Sequence, residues 1–221
     1  MNLTNRANLG SAGVLAMSFA GFAMPVEAEE HDRYTISPYL NVVVSDGRPT
    51  NDILGAGVEV HRRINQDWYL GVALTHSPTF DFESTAAVVG VNQVTTQDTI
   101  DAVGSSTQLT VVGERRYAQG DGNAWFWNAG AGINSVDVDD VSGPVAGGGT
   151  FDITTDAGTE FVVLGNAGWM QSFGDNWHAR YVVTLEKHFA DWKVRDRNSG
   201  NTATIEDYTV AGIRLGLTYQ F

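Results

Sequence analysis

The chain has no cysteine, so a nucleophile that cleaves an acyl or ester bond would have to be a serine activated by a histidine. His76 and Ser77 are adjacent in sequence. On a β-strand, adjacent side chains point to opposite faces, so this pair cannot form the hydrogen bond that activates a serine. His178 and His188 have no serine at a suitable spacing. The sequence therefore predicts no catalytic residues and a protein that is not an enzyme.

Metal chemistry would require clustered oxygen, nitrogen or sulfur ligands. Asp137, Asp139 and Asp140, with Gly143 nearby, are similar to an oxygen-rich calcium loop. The segment lacks the bidentate glutamate and the glycine at the positions that such a loop requires. We therefore predict no metal site and no cofactor.

Charged residues recur at every second position within otherwise apolar stretches. If these stretches are strands, the charged side chains share one face and must pair with one another, since a lone buried charge is expensive. We predict that they form a network of opposite charges, and the alternative is a gate or a selective polar path. The members are Glu59, His61, Glu114, Arg116, Arg180, Glu186, His188 and Arg214.

The elements that would position these residues are runs of about ten residues in which alternate side chains are apolar. In the last run, Ile213, Leu215 and Leu217 would share one face, while Arg214 and Gly216 share the other. The first run is the least regular, because Pro38 cannot donate a hydrogen bond to a neighbouring strand. Eight such runs occur, at residues 34–44, 54–61, 68–75, 108–116, 125–134, 161–169, 178–186 and 211–221.

Alternation of this kind is typical of strands with one face in lipid and the other in a polar interior. A sheet crosses a bilayer only when it closes on itself, because hydrocarbon satisfies no free backbone group. The predicted fold class is therefore all-β, a closed eight-stranded antiparallel transmembrane barrel whose lumen is filled by side chains. Inward glycines would leave room for the long charged groups: Gly55, Gly57, Gly71, Gly130, Gly132, Gly168, Gly212 and Gly216.

The connections between the runs alternate in length. Short turns at 65–67, 119–123 and 174–176 alternate with long polar segments, as expected of short periplasmic turns and long extracellular loops. Tryptophans follow each short turn, and we predict an aromatic girdle at the membrane interface formed by Trp68, Trp125, Trp177, Tyr219 and Phe221. Arginines of the segments 61–63 and 114–116 should lie at the periplasmic rim, where a snorkelling role is favoured over a functional one.

The amino terminus has the features of a secretory signal. Arg6 precedes an apolar stretch that ends before Pro25, and Val26 and Ala28 fit a signal-peptidase site. We predict a signal peptide at residues 1–28 and a barrel domain at 29–221, exported to the outer membrane of a Gram-negative cell. The net charge of −13 makes nucleic acid an unsuitable partner.

The long segments 82–107 and 137–158 contain no lysine or arginine. A solvated acidic crown is expected there, and the alternative is weak bridging by divalent cations to anionic lipopolysaccharide. Outer-membrane lipid and lipopolysaccharide are thus the expected partners. The acids are Glu83, Asp98, Asp101, Asp137, Asp139, Asp140, Asp152 and Asp156.

Several stretches resemble the OmpW family of outer-membrane proteins and, more loosely, the transmembrane domain of OmpA. The resemblance comes from residues 66–72 (QDWYLGV), 77–80 (SPTF) and 128–134 (NAGAGIN), together with the aromatic carboxyl terminus. That terminus is similar to the signature read by the barrel-assembly machinery, an expected partner during biogenesis. The resemblance implies a conduit for small apolar or amphipathic molecules that leave sideways into the membrane, for which Pro38 and Pro78 could weaken strand pairing.

Two functions therefore remain open. The first is an OmpW-like conduit for a small apolar solute, favoured by the strand motifs. The second is a structural or surface-interaction barrel, similar to the OmpA domain, whose plugged lumen carries nothing. The charged inward positions favour the second.

Overall fold

The computed structural model describes residues 34–44, 50–89, 95–144 and 149–221, and the predicted signal peptide lies outside them. Eight strands pair antiparallel in the closed order β1-β12-β9-β8-β5-β4-β3-β2. Their bounds are β1 Tyr34–Val44, β2 Thr50–Arg63, β3 Trp68–Val89, β4 Thr95–Ala118, β5 Ala124–Val138, β8 Thr159–Ser172, β9 Trp177–Phe189 and β12 Tyr208–Gln220. The predicted closed barrel is confirmed.

Closure joins the first strand to the last. The backbone N–H of Tyr34 donates to the carbonyl of Phe221, and the N–H of Phe221 donates to the carbonyl of Tyr34, both at 2.9 Å. Pro38 lies in β1 opposite Val58 with its ring exposed, so the missing donor does not interrupt the strand. Every barrel strand therefore has two neighbours and the sheet has no free edge.

The two faces of the barrel are inverted relative to a water-soluble protein. Val183 is 63% exposed and Leu185 58%, whereas Arg180 and Arg214 on the other face are 3% and 2% exposed. An exposed apolar belt of this size is stable only in hydrocarbon, where it faces no water. Among the described residues, no helix is long and apolar enough to span a bilayer.

The segments that sequence analysis treated as loops contain strands, which corrects that prediction. Within 82–107, β3 and β4 continue as a paired hairpin as far as Val89 opposite Thr95. The long segments 137–158 and 191–207 contribute a second antiparallel sheet in the order β11-β10-β7-β6. Its strands are β6 Val141–Pro144, β7 Thr150–Asp156, β10 Trp192–Asp196 and β11 Thr202–Ile205. Runs of four to seven residues are too short for a two-residue period to stand out.

This extracellular sheet shares an apolar core with the ends of the barrel strands. Trp192, Val194 and Ile153 from the sheet pack with Val136 and Val210 from the barrel. All five side chains are 5% exposed or less. The core therefore packs the extracellular sheet against the extracellular ends of the barrel strands.

Arg197 adds a basic group to the predicted acidic crown. Its guanidinium donates to Asp140 Oδ2 at 2.9 Å and to Asp152 Oδ1 at 3.4 Å. The side chains of Glu83, Asp98 and Asp101 lie outside the described part of the structure. Two of the crown aspartates in segment 137–158 therefore bind a basic residue of segment 191–207, which connects these two segments.

Asp196 organises the turn between β10 and β11. Its carboxylate accepts hydrogen bonds from the backbone N–H groups of Asp152, Asn198 and Ser199 at 3.1 to 3.2 Å. Burial opposes ionisation, but the hydrogen bonds from Ser199, Asp152 and Asn198 outweigh it and lower the pKa of this carboxyl. Because the folded pKa is depressed, the stabilisation is present above the ordinary pKa and is lost as the pH falls through the folded value.

We expect Asp196→Ala to loosen the extracellular sheet by about 2 kcal/mol, since three donors lose a charged acceptor. Amide hydrogen exchange in β7 and β10 should accelerate, while exchange in the barrel strands stays unchanged. The exposed neighbour Asp191, changed to alanine, is the control. Equal exchange in both variants would show that the Asp196 carboxylate does not hold the turn.

The short turns lie at the opposite end. Asn65 Oδ1 accepts from the N–H groups of Asp67 and Trp68 at 3.2 and 3.1 Å, which closes the first turn. In the second turn, Gly120, Asp121 and Gly122 all have positive φ, a conformation that glycine adopts without strain. These short connections mark the periplasmic end of the barrel.

Aromatic residues surround this end on the outer surface. Trp68, Trp125 and Trp177 are exposed and lie within two residues of the strand starts. Trp177 contacts Tyr219 with ring centroids 4.9 Å apart, and Tyr219 stacks on Phe221 at 6.0 Å. Trp127 and Trp169, which sequence analysis did not include, contact Trp68 and Trp125 at 5.5 and 4.8 Å. The rings thus form pairs at the level expected for a membrane interface.

Candidate functional site: the charged lumen

The eight charged residues singled out from the sequence all point into the barrel and are buried. Four of the barrel strands carry them: β2, β4, β9 and β12. The exposed fractions of all eight are 8% or less: Glu59, His61, Glu114, Arg116, Arg180, Glu186, His188 and Arg214. Their side chains therefore lie in the interior of the barrel.

Arg180 lies at the centre of this arrangement. Its Nη1 lies 3.1 Å from Glu59 Oε2, and its Nη2 donates to Glu114 Oε2. The guanidinium also lies 4.2 Å from the ring centroid of Phe126. One cation from β9 therefore joins carboxylates from β2 and β4 across the lumen.

Arg214 extends this series of ion pairs toward the extracellular side. Its Nη1 lies 3.3 Å from Glu59 Oε1, and its Nη2 donates to Glu186 Oε1 at 2.7 Å. Its guanidinium lies 5.0 Å from the ring centroid of Tyr39. Glu59 is therefore shared by two arginines, one through each carboxylate oxygen.

Arg116 closes the periplasmic side. Its Nε donates to Glu114 Oε1 at 2.6 Å and its Nη2 donates to Thr35 at 3.2 Å. Its guanidinium stacks 3.7 Å from the ring centroid of Tyr69. His61 Nε2 lies 3.9 Å from Glu114 Oε2, and Asn128 donates to the same oxygen at 3.2 Å. Glu114 thus accepts hydrogen bonds from Arg116, Arg180 and Asn128, and it is fully buried.

His188 continues the network at the extracellular side. Its Nε2 lies 3.6 Å from Glu186 Oε2, and its Nδ1 lies 2.6 Å from Glu160 Oε1. Asn134 and Tyr208 donate to the same Glu160 oxygen at 2.7 and 2.9 Å. The Tyr208 ring stacks on His188 with centroids 4.6 Å apart. Tyr208 also contacts Trp192, so the polar network ends against the apolar extracellular core.

Sequence analysis missed Glu160 and Tyr208 as members. Both precede the runs read from the sequence by one or more residues, yet both fit the inward period. Glu160 is in phase with Val162 and Leu164, and Tyr208 is in phase with Val210, all inward. Extending each run backward by its own two-residue period would have found them.

The charges nearly balance among the described lumen residues. Four carboxylates, from Glu59, Glu114, Glu160 and Glu186, face the guanidinium groups of Arg116, Arg180 and Arg214. A single protonated imidazole at His188, which contacts both Glu160 and Glu186, would complete the balance. Paired charges of this kind avoid the desolvation penalty of an unpaired ion.

The inward glycines make room for these long side chains. A Cβ on Gly57 would lie 2.6 Å from the carbonyl oxygen of Leu74 and would overlap the Tyr39 ring. A Cβ on Gly71 would overlap the His61 ring and lie 2.7 Å from the carbonyl oxygen of Val60. Both positions therefore need a residue without a side chain.

Two small cavities lie among the described residues of the lumen. A cavity of about 30 Å³ lies above the network, between Gln108, His188 and Tyr208. A second, of about 10 Å³, lies beside Glu59, Arg180 and Arg214. Spaces of this size hold one or two water molecules and no organic solute.

Glu59, His61 and Glu114 place one potential ligand atom each within 4.8 Å of the others. Arg180 already joins the two carboxylates, and Arg116 binds the second. A divalent cation would have to displace or approach these guanidinium groups. The donor set therefore fits ion pairing better than metal binding.

The serine and histidine considered for catalysis are separated by the sheet. The His76 side chain is exposed on the outer face and lies 3.0 Å from Thr107 Oγ1, through Nδ1. Ser77 is buried in the lumen. These positions agree with the opposite faces expected from strand geometry.

No protein-family model matches the chain, and no curated protein matches it in sequence. The structure is similar to Neisserial surface protein A (NspA), with a TM-score of 0.52 and 11% identity over 87% of this chain and 98% of that one. It is also similar to the outer membrane protein OprG from Pseudomonas aeruginosa, with a TM-score of 0.52 and 12% identity over 87% and 97% of the two chains. A major outer membrane protein from Thermus thermophilus has a TM-score of 0.51 at 12% identity, over 85% and 99%.

At these identities the likeness concerns the fold. The three proteins are named as surface or outer-membrane proteins, and none is named as an enzyme. A closed eight-stranded barrel with an apolar outer belt is the form in which proteins cross the bacterial outer membrane. The chain is an outer-membrane β-barrel with eight strands.

Proposed function

We propose that this barrel is a sealed scaffold that holds the sheet β6-β7-β10-β11 at the cell surface. The observation that carries the proposal is the continuous series of ion pairs from Arg116 through Arg180, Arg214 and His188 to Glu160, which crosses the lumen. The apolar core at the extracellular end adds a second barrier. A solute that followed the barrel axis would have to break both.

Conductance in planar bilayers tests the seal. We expect no discrete conductance steps from the wild-type protein, because the larger described cavity holds only water-sized molecules. The double variant Glu59→Ala with Arg214→Ala removes an oppositely charged pair beside the smaller cavity, so it should leak. A leaking variant beside a silent wild type also shows that the protein inserts.

Ion-selective steps from the wild-type protein would contradict the proposal. In that case the charged residues would line a path rather than block one, and Arg214→Ala should change the ion selectivity of those steps.

The second candidate is an OmpW-like conduit in which a small apolar molecule enters from outside and leaves sideways. One feature supports it: the strand register shifts on both sides of Pro78. Between β3 and β4 the shift falls between Ser77 and Phe80, and between β2 and β3 the register shifts between Leu54 and Ala56. Weakened pairing there would lie close to the level of the larger cavity, which Ser77 also lines.

Uptake of a small apolar fluorophore by vesicles containing the protein distinguishes the two candidates. A sealed scaffold adds nothing to the rate of passive entry, whereas a lateral conduit increases it. Replacing Pro78 with threonine should restore a donor and reduce the rate only in the second case.

A further inference from the structure

A patch of small residues interrupts the apolar outer belt. Gly113 of β4 lies opposite Ala129 of β5, and Ala129 lies opposite Gly165 of β8, so the three are consecutive in one row across the strands. On either side of this row lie larger residues, such as Val111 and Trp127. Side chains stand roughly perpendicular to a sheet. The lack of large side chains in this row therefore leaves a shallow depression on the lipid-facing surface.

The glycines of this depression are not required by packing within the barrel. A Cβ on Gly113 or on Gly165 would meet no atom within 4 Å. Lumenal glycines differ, since Gly57 and Gly71 each have a side chain and a carbonyl oxygen in the space of the missing Cβ. Larger residues would therefore fit at 113 and 165, and the space that the glycines leave open lies on the lipid side.

An arginine lies at the periplasmic edge of the depression. Arg115 follows Gly113 by two residues in β4, about 6.6 Å along the strand, and it lies opposite Trp68. Its guanidinium carbon is 5.7 Å from the Trp68 ring centroid and 5.0 Å from that of Tyr117. The aromatic rings hold the cation against the outer surface, at the level of the membrane interface.

The charge of Arg115 is only weakly compensated. Asp67 Oδ2 lies 4.0 Å from Arg115 Nη2, and both side chains are over a third exposed. Among the described residues, no hydrogen-bond acceptor meets Arg115 Nε. Nε is itself buried, so the donors that a ligand on the lipid side could reach are those of the two Nη groups, on a side chain that is 38% exposed.

We propose that Arg115 and the depression formed by Gly113, Ala129 and Gly165 bind one anionic phospholipid of the periplasmic leaflet. The guanidinium binds the phosphodiester, for which its planar donors are suited. One acyl chain lies over the small residues toward the bilayer centre. A negatively charged headgroup is preferred over a zwitterionic one, because the latter brings a second cation close to Arg115.

Fluorescence quenching by brominated lipid tests this proposal, because Trp68 and Trp127 border the site and contact each other. The protein is reconstituted in phosphatidylcholine vesicles with increasing dibrominated phosphatidylglycerol, and then with dibrominated phosphatidylcholine for comparison. One favourable arginine near the membrane surface corresponds to about a fivefold preference for the anionic lipid. Arg115→Gln should abolish that preference.

Lys187 provides the matched control. It is also outward, and its Nζ lies 5.9 Å from the Phe189 ring centroid at the other end of the barrel. Lys187→Gln should retain the preference. If both variants lose it equally, or if the wild type shows none, the assignment to Arg115 is overturned.

The depression is tested by Gly165→Leu, which adds bulk in open space and leaves the fold intact. Quenching by lipid brominated on the acyl chain should decrease, whereas Ala211→Leu, also outward and exposed, should have no effect. Equal quenching in the two variants would overturn the acyl-chain contact. If the wild-type protein is a dimer in detergent and Gly165→Leu converts it to a monomer, the depression is an interface between two copies of the chain. That result would also overturn the proposal of a bound lipid. Neither result bears on the sealed lumen.

Discussion

Glu114→Gln is expected to destabilise the barrel by about 3–5 kcal/mol, the range for removing one partner from a buried ion pair. Glutamine keeps the volume of the side chain, so the change isolates the charge. Arg116 loses its only described carboxylate partner, and Arg180 retains only Glu59. Both guanidinium groups are buried and would be left partly uncompensated.

The measurement is urea unfolding in detergent, followed by tryptophan fluorescence. Glu206→Gln is the matched control, because Glu206 is exposed outside the barrel network and loses the same charge. A double-mutant cycle with Arg180→Met separates the pair from its surroundings, since neutralising both partners should restore part of the stability. If Glu114→Gln shifts the unfolding midpoint no more than Glu206→Gln does, the lumen pairs do not stabilise the fold.

Gly71→Val is expected to have the second large effect, because the new side chain has no space. Its Cβ would overlap the His61 ring, and the Val60 carbonyl oxygen lies 2.7 Å away in the paired backbone. Over-packing usually costs about 1–3 kcal/mol, and a collision with paired backbone belongs at the upper end. We expect the folded fraction to fall strongly, as measured by the shift in gel mobility between unheated and heated samples.

Gly165→Val is the control for this prediction. It introduces the same β-branched residue into a barrel strand, but on the outer face where the Cβ meets nothing within 4 Å. Its mobility shift should equal that of the wild type. Similar folded fractions for the two valine variants would mean that the lumen adapts to added bulk, contrary to the close packing described above.

Much of the barrel was predictable because apolar and polar side chains alternate with a two-residue period along each strand. The alternation of Arg214 with Ile213 and Leu215 is typical of a strand with one face in lipid and the other in a polar interior, and it predicts both the strand and its orientation. The pairing of particular charges was not predictable. Arg180 contacts Glu59 and Glu114 from two other strands, and such contacts depend on barrel register, which a local period does not specify.

The extracellular sheet was not predicted, for a different reason. Trp192 and Val194 alternate with exposed Lys193 and Arg195, but the pattern ends after five residues. Its stability comes from distant partners, since Arg195 and Asp196 pair with Thr154 and Ile153 of β7. Short strands of this kind depend on tertiary contacts that a local pattern does not reveal.

The pairing of β1 with β12 has a consequence for biogenesis. Tyr34 and Phe221 exchange backbone hydrogen bonds although nearly the whole described chain separates them. A shortened polypeptide would leave two unpaired strand edges that hydrocarbon cannot satisfy, and contacts of such long sequence separation form slowly. The barrel can therefore close only once its last strand has been made, so we expect insertion to be nearly all-or-none and the unclosed chain to need protection from aggregation.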